Sequence, residues 1–173
     1  MSDLFDQVTS DQDPFKKIAS KIPGFSGYIE RQNRRAADKM LRESIADQFT
    51  ELWKRVGNVQ QDLISQGEIA SLDDMEKAAT KLQTFIDKVT NAAYGYAGFF
   101  DAKKIKQDEL ARLYDFDVAL LDSVDAIAHA IDNIEASIGS DGFDASIRNL
   151  ITLTRELVST FDSRGEVITS ADV

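Results

Sequence analysis

Side chains that could carry out acid–base or nucleophilic chemistry are scarce in this sequence. Its 173 residues include no Cys and one His, His129. The absence of Cys excludes disulfide frameworks, thiolate zinc sites and cysteine nucleophiles, and a single His excludes multi-histidine metal motifs. His129 is the default general base, but no Ser stands at a spacing that would pair with it, and it lies two positions from the apolar residues Ile127 and Ile131. We therefore expect a solvent-facing helix histidine, no enzyme active site, no metal and no cofactor.

Carboxylates form the second candidate group. Four of them fall on one predicted helix, at Asp115, Asp117, Asp122 and Asp125. Asp117 is close to the apolar stripe of that helix, where a carboxylate without a partner is costly. A metal site that also uses Asp87 or Glu109 is an alternative, but hard cations need several oxygens at fixed spacing, and that pattern is missing. The position predicts a buried polar network instead, with Tyr114 and Arg112 as candidate neighbours.

An aromatic segment forms the third candidate. Residues 94–100 read Tyr-Gly-Tyr-Ala-Gly-Phe-Phe, and the two glycines lack the preceding strand and further glycine of a dinucleotide-binding fingerprint. The simpler interpretation is that these rings close the hydrophobic end of a helical bundle. The alternative is a small-ligand pocket at that end, lined by Tyr94, Tyr96, Phe99, Phe100, Tyr114 and His129.

The elements that must position these residues are helical. Apolar residues recur at steps of three and four over segments 30–66, 71–97, 104–138 and 143–162, while both prolines precede residue 24. The pattern predicts an all-α fold, an elongated antiparallel four-helix up-down bundle. We assign residues 1–28 to a partly ordered N-terminal arm and 29–173 to the bundle. The fourth helix is too short to cover the long ones, which leaves an apolar stripe for the arm or for a second copy.

Charge is distributed unevenly along the chain, whose net charge is −10. Residues 1–14 carry four acids and no base, residues 15–42 carry eight bases and two acids, and the rest carries 12 bases and 24 acids. The bundle is therefore strongly acidic, whereas residues 15–42, which span most of the arm and the start of the first long helix, have a net charge of +6. Such an asymmetry bears on partners more than on the fold.

The basic segment is where we expect function. Phe15, Ile18 and Ile22 share one helical face, opposite Lys16 and Lys17, which is typical of a helix that docks on an anionic membrane or in a partner's groove. The predicted partner-binding residues are Phe15, Lys16, Lys17, Ile18, Lys21, Ile22, Phe25, Tyr28, Arg31, Arg34 and Arg35. In the alternative, the arm folds back onto its own acidic bundle.

The sequence thus predicts a non-enzymatic interaction or scaffolding module. Its partner is an anionic membrane surface or another helical protein, and self-association into a homo-oligomer is open. Nucleic acid is disfavoured, because the acidic bundle would repel phosphates. We find no secretory leader and no apolar run that would span a bilayer, and so expect a cytoplasmic protein, peripheral to the membrane if it docks there. The alternative function is the small-ligand-binding bundle.

Overall fold

Five α-helices and two short 3₁₀ turns make up the part of the chain that the computed structural model describes, residues 13–92, 100 and 105–170. The helices are α1 (Pro14–Lys21), α2 (Arg34–Gln66), α3 (Leu72–Asn91), α4 (Gln107–Ser137) and α5 (Phe143–Ser170). The 3₁₀ turns, Arg31–Asn33 and Ile69–Ser71, lead into α2 and α3. These residues contain no β-strand, so the all-α fold class is confirmed.

Local chemistry accounts for two of the helix ends. Asp13 precedes α1 and its Oδ1 accepts the backbone N–H of Phe15 at 3.0 Å, while Pro14 occupies the first helical position. Gly67 follows α2 with φ +78°, and the next N–H bonds back to the carbonyl oxygen of Leu63 at 2.9 Å. That left-handed residue is a glycine because a side chain would strain it. Both features make the boundaries sharp.

Helix packing joins the five helices around one core. α2 packs against α3 and α4, α5 packs against the same two helices, and α1 lies on α4. Helices α3 and α4 follow each other in the chain but are not among the extensively packed pairs of the described residues. The predicted four-helix up-down topology, in which each helix packs against the next one in the chain, is therefore not confirmed.

The apolar stripes are mostly placed as the spacing predicts. The spacing predicts eight core positions in α2, and all of them are buried: Ala37, Leu41, Ile45, Phe49, Leu52, Val56, Val59 and Leu63. In α3, Phe85 is fully buried and Ile86 only half-buried; in α4, Asp117 rather than Phe116 faces the core. The apolar spacing predicts Ile86 and Phe116 at these core positions. In each case the preceding or following residue in the sequence is the buried one.

Among the described helices, the end of the fourth predicted helix was the boundary with the largest error. We expected it to end near Asp162, but α5 continues to Ser170. The apolar pattern lapses because an arginine, Arg164, occupies the core position after Phe161, and Gly165 continues the helix. At 28 residues, α5 is long enough to pack along both α3 and α4.

Candidate functional site: the docked arm and its buried polar network

The described part of the arm, residues 13–28, lies on its own bundle. Ile18, Ile22, Phe25 and Tyr28 are all buried and belong to the same core as the four long helices. On the outer side, Nζ of Lys21 is 2.9 Å from Oδ2 of Asp125 and 3.8 Å from a carboxylate oxygen of Asp122. This is the arrangement that the fold-back alternative describes. The apolar face of α1 is occupied by α4.

Gly27 allows the arm to approach α4 closely. Its φ of +74° is in the left-handed region, and a Cβ built on it would lie 2.6 Å from the hydroxyl oxygen of Tyr114 and 3.0 Å from the ring of Phe15. Both the backbone conformation and the contact exclude a side chain. The turn therefore requires glycine at this position for two independent reasons.

Tyr28 is the anchor of the arm. Its ring centroid lies 5.0 Å from that of Tyr114, 5.9 Å from that of Phe100 and 5.7 Å from that of Phe25. Its backbone N–H donates to the Tyr114 hydroxyl at 2.6 Å, and its carbonyl oxygen accepts from Nε of Arg34 at 2.6 Å. Backbone and side chain are thus both satisfied, which is what a fully buried tyrosine requires.

A charged network begins at the Tyr28 hydroxyl. That hydroxyl donates to Oδ2 of Asp117 at 2.7 Å, and Nε of Arg164 donates to Oδ1 of the same carboxylate at 2.7 Å. The Nη2 group of Arg164 also donates to Oδ1 of Asp38 at 2.7 Å. Arg42 completes the network, because its Nε donates to Oδ2 of Asp38 at 2.7 Å. The arm, α2, α4 and α5 therefore meet at one point.

The network balances its own charge. Two carboxylates, Asp38 and Asp117, face two guanidinium groups, Arg42 and Arg164, and all four side chains are buried. Charge-assisted hydrogen bonds at these distances are the strong kind. Because these bonds join the arm, α2, α4 and α5, they fix how the four elements meet.

Burial changes the acidity of two members. The pKa of Asp117 is raised from 3.8 to about 6, chiefly because burial disfavours the charged carboxylate. The guanidinium of Arg164 and the hydrogen bond from Tyr28 lower this pKa without reversing the shift, and Asp38 raises it. The pKa of the Tyr28 hydroxyl is raised well above its usual value by burial and by the charge of Asp117.

This shift predicts a pH-dependent stability. The pKa of Asp117 in the folded protein exceeds its value in the unfolded chain. The stabilisation of the folded protein that results from protonating Asp117 is therefore fully present below about pH 4 and is lost as the pH rises through about 6. Across that interval wild type should lose about 3 kcal/mol of unfolding free energy relative to Asp117→Asn. Urea denaturation of both proteins at several pH values measures the difference, and ¹³C NMR of the Asp117 carboxyl gives its pKa directly. A difference that stays flat or grows with pH would refute the shift.

The predicted basic residues divide into two groups. Lys16, Lys17, Lys21 and Arg35 are exposed, and Lys21 also pairs with Asp125. Arg34 is half-buried and donates to the carbonyl oxygen of Tyr28. The side chain of Arg31 lies outside the described residues. Of the predicted apolar contacts, Phe15 is half-buried and the others are buried.

The aromatic pocket residues are only partly brought together. The rings of Phe100 and Tyr114 both pack against the ring of Tyr28. His129 is exposed and lies about 22 Å farther along α4 than Tyr114, at 1.5 Å per residue. Tyr94, Tyr96 and Phe99 lie outside the described residues.

Three network residues escaped the sequence prediction. Asp117 was placed correctly in a buried polar network, but of its two suggested neighbours Arg112 is exposed, and the true partners Asp38, Arg42 and Arg164 were missed. A signal existed for Arg164: it stands three residues after Phe161 and four before the buried Ile168, on the stripe of α5. A base at a core position of a helix implies a buried carboxylate partner.

Among the described residues, no group of three or more acidic or His side chains is placed to hold a metal ion. Within the same residues, no helix has both the length and the apolar character needed to cross a bilayer.

Comparison with known proteins gives no family for this chain. No protein-family model, no curated protein and no solved structure matches it significantly. Its function is therefore argued from its own residues.

Proposed function

We propose that this protein is a non-enzymatic interaction module that docks peripherally on an anionic membrane surface through the exposed edge of its arm. We name this edge the basic rim. It is defined by six of the exposed residues of the arm and of the first turns of α2: Lys16, Lys17, Ile29, Arg35, Lys39 and Met40. The rim carries four bases, and the exposed acids beside it are Glu30 and Glu43, of which Glu43 lies 3.7 Å from Lys39.

The observation that carries the proposal is the exposure of Ile29. Its side chain is 71% exposed, the highest value among the large apolar residues that are exposed. It directly follows Tyr28, which is fixed by three ring contacts and the buried network. A large apolar side chain held outward by a rigid neighbour is poised for contact with an apolar surface.

Met40 adds a second apolar contact to the rim. It is 38% exposed, and a Cβ on Gly24 would lie 4.0 Å from its terminal methyl carbon. The arm's turn therefore lies beside the first turns of α2. Apolar side chains that enter the acyl region and bases that meet anionic headgroups are the two components of interfacial docking.

This mode differs from insertion of the whole amphipathic helix. The apolar face of α1 is already in use, because Ile18 and the capping residue Ile22 are buried against the bundle. Docking through the rim leaves those contacts intact, so no unfolding of the arm is needed.

The test compares two exposed isoleucines. Ile29 on the rim and Ile69 in the turn before α3 are exposed to similar degrees, but Ile69 stands beside Glu68 and near Asp73. Ile29→Ser should weaken co-sedimentation with phosphatidylserine vesicles about tenfold, whereas Ile69→Ser should leave it unchanged. Both variants should fold, since neither side chain is buried.

Charge reversal of two lysines provides a second test of membrane docking. Lys16→Glu with Lys17→Glu should weaken vesicle binding by more than tenfold at low salt, at about 1 kcal/mol per basic residue near the surface. Vesicles of phosphatidylcholine alone should not bind. If wild type stays in the supernatant with anionic vesicles at low salt, the membrane proposal is wrong.

A further inference from the structure

A second surface feature is independent of the arm. A groove of about 470 Å³ runs between α2 and α3, with Gly57 and Ala79 among the residues that line it and the indole of Trp53 at its side. Its size lies within the range of small-molecule sites. On each helix the lining residues recur at steps of three and four, which places them on one face.

Gly57 has no structural explanation within the fold. It is in the middle of the 33-residue helix α2, where glycine is less favourable than alanine. Its φ is not positive, and a Cβ built on it would meet no atom within 4 Å. Neither the backbone nor packing requires glycine here. Its effect is to widen the groove and expose helix backbone inside it.

Trp53 lies one helical turn before Gly57. It is 38% exposed, which is unusual for the largest apolar side chain, and it borders the groove that Gly57 widens. An indole beside a cleft offers a flat apolar face to a ligand. The two features occur together at a spacing of four residues, on the same face of α2.

The polar lining is nearly neutral. Six of its side chains are amides or hydroxyls: Asn58, Gln60, Gln61, Thr80, Gln83 and Thr84. The two charged ones have opposite signs and local partners, because Lys54 is 2.8 Å from Glu51 and Glu76 accepts from Gln60 at 2.9 Å. A phosphate or a cation would find little net attraction here. Amides and hydroxyls both donate and accept hydrogen bonds.

We infer that this groove binds a neutral saccharide, with one sugar face stacked on Trp53 and its hydroxyls bonded to the amides and threonines. A pyranose ring presents an apolar C–H face and a rim of neutral hydroxyls, which is the combination that the lining complements. The inference is independent of the membrane proposal, because it uses no residue of the basic rim.

The test uses the intrinsic fluorescence of Trp53, the only tryptophan of the chain. Maltose, cellobiose and N,N′-diacetylchitobiose are titrated separately to about 50 mM, a range that covers millimolar dissociation constants. At least one should give a saturable change in emission that glycerol at the same mass concentration does not give. If none of the three does, the inference is wrong.

Gly57→Leu is the informative variant. Its side chain enters the groove, where open space surrounds Gly57, so it should fold with a melting temperature no lower than that of wild type. It should weaken saccharide binding at least tenfold while Trp53 remains as the reporter. Ile69→Ser, outside the groove, is the matched control and should bind like wild type.

Two results would overturn the inference. One is unchanged saccharide binding by Gly57→Leu. The other is a shift in emission with protein concentration alone, without sugar, because that would assign the groove to a second copy of the chain.

Discussion

Replacing Arg164 by Met is expected to lower the free energy of unfolding by about 3–5 kcal/mol, because it leaves the buried carboxylate of Asp117 without a cation and removes one of the two cations that contact Asp38. Arg164 is fully buried and bonds to Asp117 and Asp38 at 2.7 Å each. Methionine replaces the apolar stem of arginine as far as about Nε, so the variant loses the guanidinium charge together with the volume of that group. Urea denaturation followed by circular dichroism measures the effect.

The control is on the same helix. Arg155→Met changes an exposed arginine of α5 and should alter the unfolding free energy by no more than about 0.5 kcal/mol. Adding Asp117→Asn to Arg164→Met should recover part of the loss, since it removes the carboxylate that has no cation left, whereas Asp38 keeps its bond to Arg42. If Arg164→Met were as mild as Arg155→Met, the network would contribute nothing to the fold.

Replacing Gly27 by Ala should destabilise the protein by about 2–4 kcal/mol. About 1–2 kcal/mol comes from holding alanine in a left-handed conformation. The remainder comes from the new Cβ, which would lie 2.6 Å from the Tyr114 hydroxyl and displace the acceptor of the Tyr28 N–H. The same denaturation experiment applies.

Gly139→Ala separates the two causes. Gly139 has φ +79°, close to that of Gly27, but a Cβ there would meet no atom within 4 Å. It should therefore show the backbone cost alone, about 1–2 kcal/mol. Equal effects of the two substitutions would mean that the arm does not approach α4 as closely as described.

The sequence allowed much of the core to be predicted, for a simple reason. Apolar residues at steps of three and four lie on one face of a helix, and in α2 every residue at this spacing is buried. The pattern failed where a charged residue replaced an apolar one. The spacing of apolar residues does not by itself predict the burial of Asp38 and Arg164, which the fold pairs across α2 and α5.

Such pairs are hard to predict because each charge is tolerable only with its partner. Asp38 and Arg164 are 126 positions apart, and only the packed fold brings them together. Asp117 could be recognised because it interrupts an otherwise apolar stripe. The position of the arm was open for a related reason: its amphipathic face fits equally well on a lipid surface or on the molecule's own bundle.

The central claim is that the arm is part of the folded core and presents the basic rim as a rigid edge. Amide hydrogen exchange, with and without phosphatidylserine vesicles, tests it most directly. The N–H groups of Ile22 and Tyr28 bond to the Ile18 carbonyl oxygen and the Tyr114 hydroxyl. Both amides should exchange at least about a thousandfold slower than in an unfolded chain, in solution and on vesicles alike. Exchange at the unfolded rate in either condition would contradict the account.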